Sequence, residues 1–243
     1  MTLIKWILLL MVFAAPLLAV DSTVFNTQAT FDIAFGDAGS GGNDNYGAAA
    51  SYNLDHNFSS SRIFIRITTL DDVLGATSAG LDYDSVIIYM KTSSNSLDDN
   101  GEQLLVTGYP VTQLWTEGIG PVSADDLTFN RWTTDEDWTT PGGDYGSAFS
   151  NFGATGTMLI NFNTADEEYK AYYVDTAAFR AMVEDDNTKG WSYVATHETG
   201  SPNDPFAVHT DDAGSAAQRP YLVAYHTTKA GAAAYTPVMI IGE

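Results

Sequence analysis

A chain of 243 residues without cysteine must draw its stability from core burial, with or without bound ions, and not from disulfides. Its 31 aspartates and glutamates against 10 lysines and arginines give a formal net charge of −21. That charge excludes nucleic-acid binding by counterion release and opposes adsorption to an anionic membrane.

Residues 1–19 read as a secretory signal peptide, so the mature chain is expected outside the cell, secreted or at the extracellular surface. Lys5 supplies a positive start, residues 7–15 are an unbroken apolar run, Pro16 ends it, and Ala19 offers a small residue for cleavage. Leu17 stands where a small residue is preferred, so an uncleaved N-terminal anchor is the other reading. No other segment has the length to span a bilayer, and no stable span is expected after cleavage.

Residues 20–228 are expected to form one β domain. Residues 23–34 alternate weakly and predict a first strand with Phe31 and Ile33 inward. Glycine, asparagine and aspartate crowd residues 36–47, which predicts a turn. Residues 62–67 (RIFIRI) predict a strand with Ile63, Ile65 and Ile67 on one face and Phe64 between Arg62 and Arg66 on the other. Residues 85–90 (SVIIYM) are apolar on both faces, the pattern of a central strand. An acidic turn at 98–102 precedes residues 104–138, which carry three of the five tryptophans. Residues 157–163 alternate with Met158, Ile160 and Phe162 toward the core, and residues 172–175 make a short strand. Thr176 is the expected N-cap of one brief helix over 177–184. Residues 191–196 and 221–225 complete the strands, with Tyr221, Val223 and Tyr225 sharing a face. Short strands linked by Gly, Asn and Asp turns predict an all-β fold, an antiparallel jelly-roll-like β-sandwich with one short helix. Residues 229–243 form a small-residue spacer and an apolar tail. That tail either adds a strand to its own domain or docks on a neighbour's sheet edge through Val238, Met239, Ile240 and Ile241.

Several motifs recur in a recognisable order. Asn45-Tyr46-Gly47 precedes the Arg-led strand Ser61-Arg62-Ile63-Phe64-Ile65-Arg66, and Ser85-Val86-Ile87-Ile88-Tyr89 follows. Trp115-Thr116-Glu117 is paired with Leu127-Thr128-Phe129-Asn130. Val174-Asp175-Thr176 enters the helix, and Gly190-Trp191-Ser192-Tyr193-Val194 and Arg219-Pro220-Tyr221-Leu222-Val223-Ala224-Tyr225 close the series. This order resembles the DNRLRE (disaggregatase-related) domains over residues 29–227. Phe129 replaces their usual tryptophan, and the acidic insertion at 135–152 and the apolar tail depart from their pattern. The resemblance implies a jelly-roll-like sandwich that serves as a carbohydrate-binding or cell-surface module. It also assigns Trp115 and Phe129 to the framework of the fold.

Chemistry-bearing residues are sparse. His56, His197, His209 and His226 lack metal-ligand spacing, and neither a phosphate loop nor a nucleophile elbow is present. His226, opposite Tyr221 and Tyr225, reads as edge decoration. No catalytic residues are expected; a lyase set of Tyr193, His209 and Arg219, or a hydrolase carboxylate pair, is the weaker alternative. Calcium, as a structural ion, has its first candidate ligands in Asp98, Asp99, Asn100 and Glu102. Asp211 with Asp212, and Asp185 with Asp186 and Asn187, form similar turns; each of the three also reads as an ordinary solvated turn. For sugar binding, Arg131, Trp132, Asp135 and Trp138 set aromatic faces beside polar side chains; alternatively, the two tryptophans close the edge of the core. Trp191 is expected in the core. The net charge favours a neutral glycan. The expected function is a secreted, non-catalytic module binding a polysaccharide or cell-surface glycan, with a structural subunit assembling through its tail as the alternative.

Overall fold

The computed structural model describes residues 21–25, 31–37, 44–45, 49–54, 62–67, 81–95, 103–117, 127–128, 130–133, 136–141, 143–149, 157–161, 166–184, 189–199 and 206–228. Within them, period-two patterns rich in isoleucine, valine and tyrosine produce antiparallel strands throughout. The strands are β1 (Asp21–Phe25), β2 (Phe31–Asp37), β3 (Asp44–Asn45), β4 (Ser51–Leu54), β5 (Arg62–Ile67), β6 (Leu81–Asn95) and β7 (Gln103–Pro110). They continue as β8 (Arg131–Thr133), β9 (Glu136–Asp137), β10 (Thr157–Asn161) and β11 (Tyr169–Val174), then β12 (Trp191–Thr199), β13 (Phe206–His209) and β14 (Tyr221–Thr228). One helix, α1 (Thr176–Glu184), lies between β11 and β12.

Two sheets face each other. The front sheet runs β1-β14-β6-β13-β4, with β11 also paired to β6; the back sheet runs β10-β7-β12-β5-β2-β3. Between them lies the main core. Ile63, Ile65, Ile67, Val106, Trp191 and Tyr193 of the back sheet meet Val86, Ile88, Met90, Tyr172, Phe206 and Leu222 of the front sheet. The expected all-β antiparallel sandwich with one short helix is the observed architecture.

Four local expectations change. The single strand expected over 23–34 is two strands in different sheets, since β1 pairs with β14 and β2 with β5. The run SVIIYM is central, as expected, but not apolar-buried on both faces: Val86, Ile88 and Met90 are buried, while Ile87 and Tyr89 point outward and are only partly covered. The helix is capped by Asp175 and not by Thr176. Its Oδ1 accepts from the amides of Ala177 and Ala178 at 2.9 and 3.1 Å, satisfying two donors that have no partner within the helix. His226 is not at an edge, because β14 is flanked by β1 and β6; it is buried on the core face, with its ring 6.3 Å from that of Tyr83.

The outer face of β5 decides the rest of the architecture. Phe64, placed by the sequence between Arg62 and Arg66 on the face away from the isoleucines, is 0% exposed. The described residues between 111 and 149 fold back over it and form a second core of Phe64, Val111, Trp115, Leu127 and Trp138. The Phe64 ring stacks on Trp138 at 5.4 Å and meets Trp115 edge-on at 6.0 Å, arrangements each worth roughly 0.5–1.5 kcal/mol beyond area burial. Arg62 and Arg66 lie under the same cover. Their guanidinium carbons sit 5.6 Å from the Tyr145 ring centre and 5.0 Å from that of Trp115. Backbone bonds fasten the excursion to the back sheet, from the Val111 amide to the Gly190 carbonyl and from the Phe149 amide to the Gly108 carbonyl. The back sheet is therefore covered on both sides along β5.

Candidate functional site

The hairpin formed by β8 and β9 holds part of the sugar site expected from sequence. Arg131 opposes Asp137 across the hairpin, and their side chains form an ion pair at 3.3 Å. Trp132 is half-buried against the second core, its Nε1 donating to the Asp137 carbonyl at 3.1 Å. Trp138 is a correction. It is 4% exposed, its face is occupied by Phe64, and its Nε1 donates to the Thr128 carbonyl at 3.0 Å. With ring and donor both engaged inside the protein, it closes the core and cannot stack on a sugar. Asp135 and Phe129 lie outside the described residues. Trp115 is fully buried, as the framework reading expects, and Trp191 is a core residue.

The first calcium candidates, Asp98, Asp99, Asn100 and Glu102, lie outside the described residues, as do Asp185, Asp186 and Asn187. Asp211 and Asp212 are described, and the fold brings Glu117 to them. One carboxylate oxygen from each falls within 4.8 Å of the others. An oxygen-only trio suits a hard cation such as calcium, which takes six to eight oxygen ligands, better than a soft one. Glu117 escapes sequence reasoning because only the packing of the excursion beside segment 210–220 joins it to the Asp211-Asp212 pair.

The outer face of the front sheet carries a feature absent from the sequence expectations. Tyr169 and Tyr173 on β11, Tyr89 on β6, and Tyr221 and Tyr225 on β14 all point away from the core, alternating with buried Tyr172, Ile88, Leu222 and Ala224. The register sets Tyr89 opposite Tyr221 and beside Ala171, and sets Tyr173 opposite Ile87. The rings of Tyr89 and Tyr221 stack with centres 4.8 Å apart and planes 15° from parallel, and Tyr169 meets Tyr221 edge-on at 5.2 Å. Tyr173 is 39% exposed. Partial burial pushes the Tyr89 phenol above its ordinary pKa, assisted by the neighbouring phenols of Tyr225, Tyr221 and Tyr173. Tyr221 and Tyr169 are raised for the same first reason. These hydroxyls therefore stay neutral at physiological pH and can both donate and accept. The sequence shows Tyr221 and Tyr225 on one face, and the structure confirms it; Tyr89, Tyr169 and Tyr173 join them only once the strand pairing is known.

A polar network closes one end of this face. Glu167, at the turn before β11, adopts a left-handed backbone with φ 58°. Its carboxylate accepts from Lys91 Nζ at 2.8 Å and Gln218 Nε2 at 3.3 Å, and pairs with His209 Nε2 at 3.0 Å. Lys91 also donates to the Ala217 carbonyl, and the Tyr169 hydroxyl to the carbonyls of Ala217 and Arg219. Segment 210–220 is thereby fastened to β6 and β11. A left-handed non-glycine residue is costly and persists only where its surroundings fix it, as they do here.

The hydrogen bonds from Lys91 and His209 hold the Glu167 carboxyl down to about 2, from an ordinary 4.5. A carboxylate depressed on folding contributes stability above its unfolded pKa and loses it as pH falls through its folded one. The thermal-stability difference between wild type and Glu167→Gln should therefore be full above pH 4.5 and shrink toward pH 2. A difference constant across that window would refute the assignment.

The lyase set does not assemble. Tyr193 is fully buried and donates its hydroxyl to the Tyr173 carbonyl at 3.1 Å, while Arg219 Nε donates to the Ala213 carbonyl and His209 belongs to the Glu167 network. A phenol sealed in the core cannot exchange a proton with a substrate. The tail residues Val238, Met239, Ile240 and Ile241 lie outside the described residues, as does the expected signal segment. Among the described residues no helix is long and apolar enough to cross a membrane. No protein-family model matches the chain, and a search of curated proteins finds no match.

Proposed function

We propose that this chain is a secreted, non-catalytic carbohydrate-binding module whose ligand face is the tyrosine-bearing side of the front sheet. One observation carries the reading. Along β5 the outer face of the back sheet is covered by the protein's own aromatic excursion, whereas the outer face of the front sheet carries clustered, partly exposed tyrosines. Tyrosine suits sugars because each ring offers apolar surface to C–H groups and each hydroxyl a partner for sugar hydroxyls, at little cost in side-chain entropy. The resemblance to DNRLRE domains points to the same class of ligand. The Trp132 hairpin, with Trp138 withdrawn into the core, offers a single half-buried ring and becomes the secondary candidate.

Glycan-array screening of the mature chain tests this, followed by affinity measurement with any glycan that binds. Tyr89→Ala and Tyr173→Ala are each expected to weaken binding roughly tenfold, the effect of losing about 1.4 kcal/mol of ring contact. Because the Tyr173 side chain lies on the outer face and outside the core, its replacement should leave the melting temperature within a few degrees. Repeating the screen with EDTA reads whether the Glu117, Asp211 and Asp212 trio contributes a structural calcium ion to the bound state. Wild type that binds none of the glycans refutes the reading.

A further inference from the structure

We infer that the tyrosine face takes an uncharged glycan chain, lying along β6 and β14 and spanning more than one sugar unit, in preference to a terminal monosaccharide or an acidic polysaccharide. This rests on the glycan-binding reading above and narrows it.

Length is the first argument. Tyr221 and Tyr225 lie on one face of β14, four residues apart, which at about 3.3 Å per residue separates their Cα atoms by roughly 13 Å along the strand. Tyr169 and the stacked Tyr89–Tyr221 pair mark one end of that line, Tyr225 the other, and Tyr173 lies between them on the β11 side. A single pyranose covers only part of this distance. A chain of several units laid along the strands meets the rings in succession.

Charge is the second. Among the described residues, the cations at the margins of the face are already committed: Lys91 to Glu167 at 2.8 Å, Lys170 to Glu168 at 3.0 Å, and Arg180 to Asp82 at 3.1 Å. Arg219 directs its Nε to the Ala213 carbonyl. An acidic glycan would have to displace these carboxylates and approach a molecule of formal charge −21. An uncharged chain meets neither obstacle. The neutral phenols match its alternation of C–H surface and hydroxyl.

Calorimetric titration of the mature chain against three uncharged oligosaccharide series, cello-, xylo- and manno-oligosaccharides of one to six units, tests the inference, with oligogalacturonides as the acidic comparison. In at least one uncharged series affinity should rise about tenfold or more between one and three units and then level off. That affinity should be unchanged between low and high salt. Tyr225→Ala, at the far end of the line, should remove most of the gain from the longer oligomers while altering the affinity for the shortest one little. Two results overturn the inference but leave glycan binding by this face standing, provided Tyr89→Ala still weakens binding about tenfold. One is a monosaccharide that binds as tightly as its trimer; the other is oligogalacturonides that bind more tightly than every uncharged series. Glycan binding untouched by Tyr89→Ala and Tyr225→Ala would place the ligand elsewhere and overturn both, as would the absence of binding in all series and on the array.

Discussion

Gly190→Ala is expected to cost more stability than any other single methyl added to the described glycines of the back sheet. Gly190 sits just before β12 with φ +73°, a conformation that penalises an L side chain by roughly 1–2 kcal/mol. A Cβ there would also lie 2.0 Å from the Ile65 carbonyl oxygen and 2.8 Å from the Arg66 Cβ. Neither neighbour is the free end of a flexible chain. Both belong to β5, whose isoleucines fill the main core on one side and whose Phe64 fills the second core on the other. Relief therefore requires β12 and β5 to separate where Trp191 pairs with Ile65. The same joint holds the excursion, since the Gly190 carbonyl receives the Val111 amide and the Lys189 carbonyl receives Trp115 Nε1. A loss of about 4 kcal/mol or more follows, which for a domain of this size lowers the melting temperature by on the order of 10 °C. Thermal unfolding followed by circular dichroism reads it, and a shift within two degrees would show that the joint can relax.

Trp115→Ala should cost about 3–5 kcal/mol, the usual range for removing a fully buried large aromatic. Three separate losses combine. The second core loses one of its two buried indoles, edge-on to Phe64 at 6.0 Å. The Lys189 carbonyl loses the indole donor at 2.8 Å. Arg66 loses the ring beneath its guanidinium, 5.0 Å away, though it keeps a backbone acceptor at the Trp115 carbonyl. Trp132→Ala, in the same segment but half-buried and with its indole N–H bonded within its own hairpin, should cost clearly less. Urea unfolding of the two variants side by side makes the comparison, and equal costs would contradict the assignment of Trp115 as the anchor of the excursion.

The strands were legible wherever alternation was strong. RIFIRI, the strand ending in Tyr225 and the one beginning at Trp191 all lie where their patterns place them, because each has one face in the main core. Two kinds of feature were not legible. The fate of Phe64 depended on a segment nearly fifty positions or more away folding back over it, a cover that leaves no mark in the local pattern of RIFIRI. Trp138 was misread for the complementary reason, since polar neighbours in sequence say nothing about the ring it stacks on. The tyrosine face was hidden differently. Tyr89, Tyr173 and Tyr221 each look ordinary in their own strands and become a cluster only through the pairing of β11 and β14 on either side of β6. The Glu117, Asp211 and Asp212 trio shows the same limit for charged groups.

The division of aromatic types between the two sheets has an optical consequence. Every tryptophan among the described residues, Trp115, Trp132, Trp138 and Trp191, belongs to the back sheet or its cover, whereas the outward-facing tyrosines belong to the front sheet. Packed sheets lie about 10 Å apart, so a ligand on the tyrosines leaves the indoles in an unaltered environment. Indole emission should report unfolding and stay silent during ligand titration, while the near-ultraviolet difference spectrum of the phenols registers occupancy. The protein thus carries two independent reporters, one for its integrity and one for the proposed ligand face.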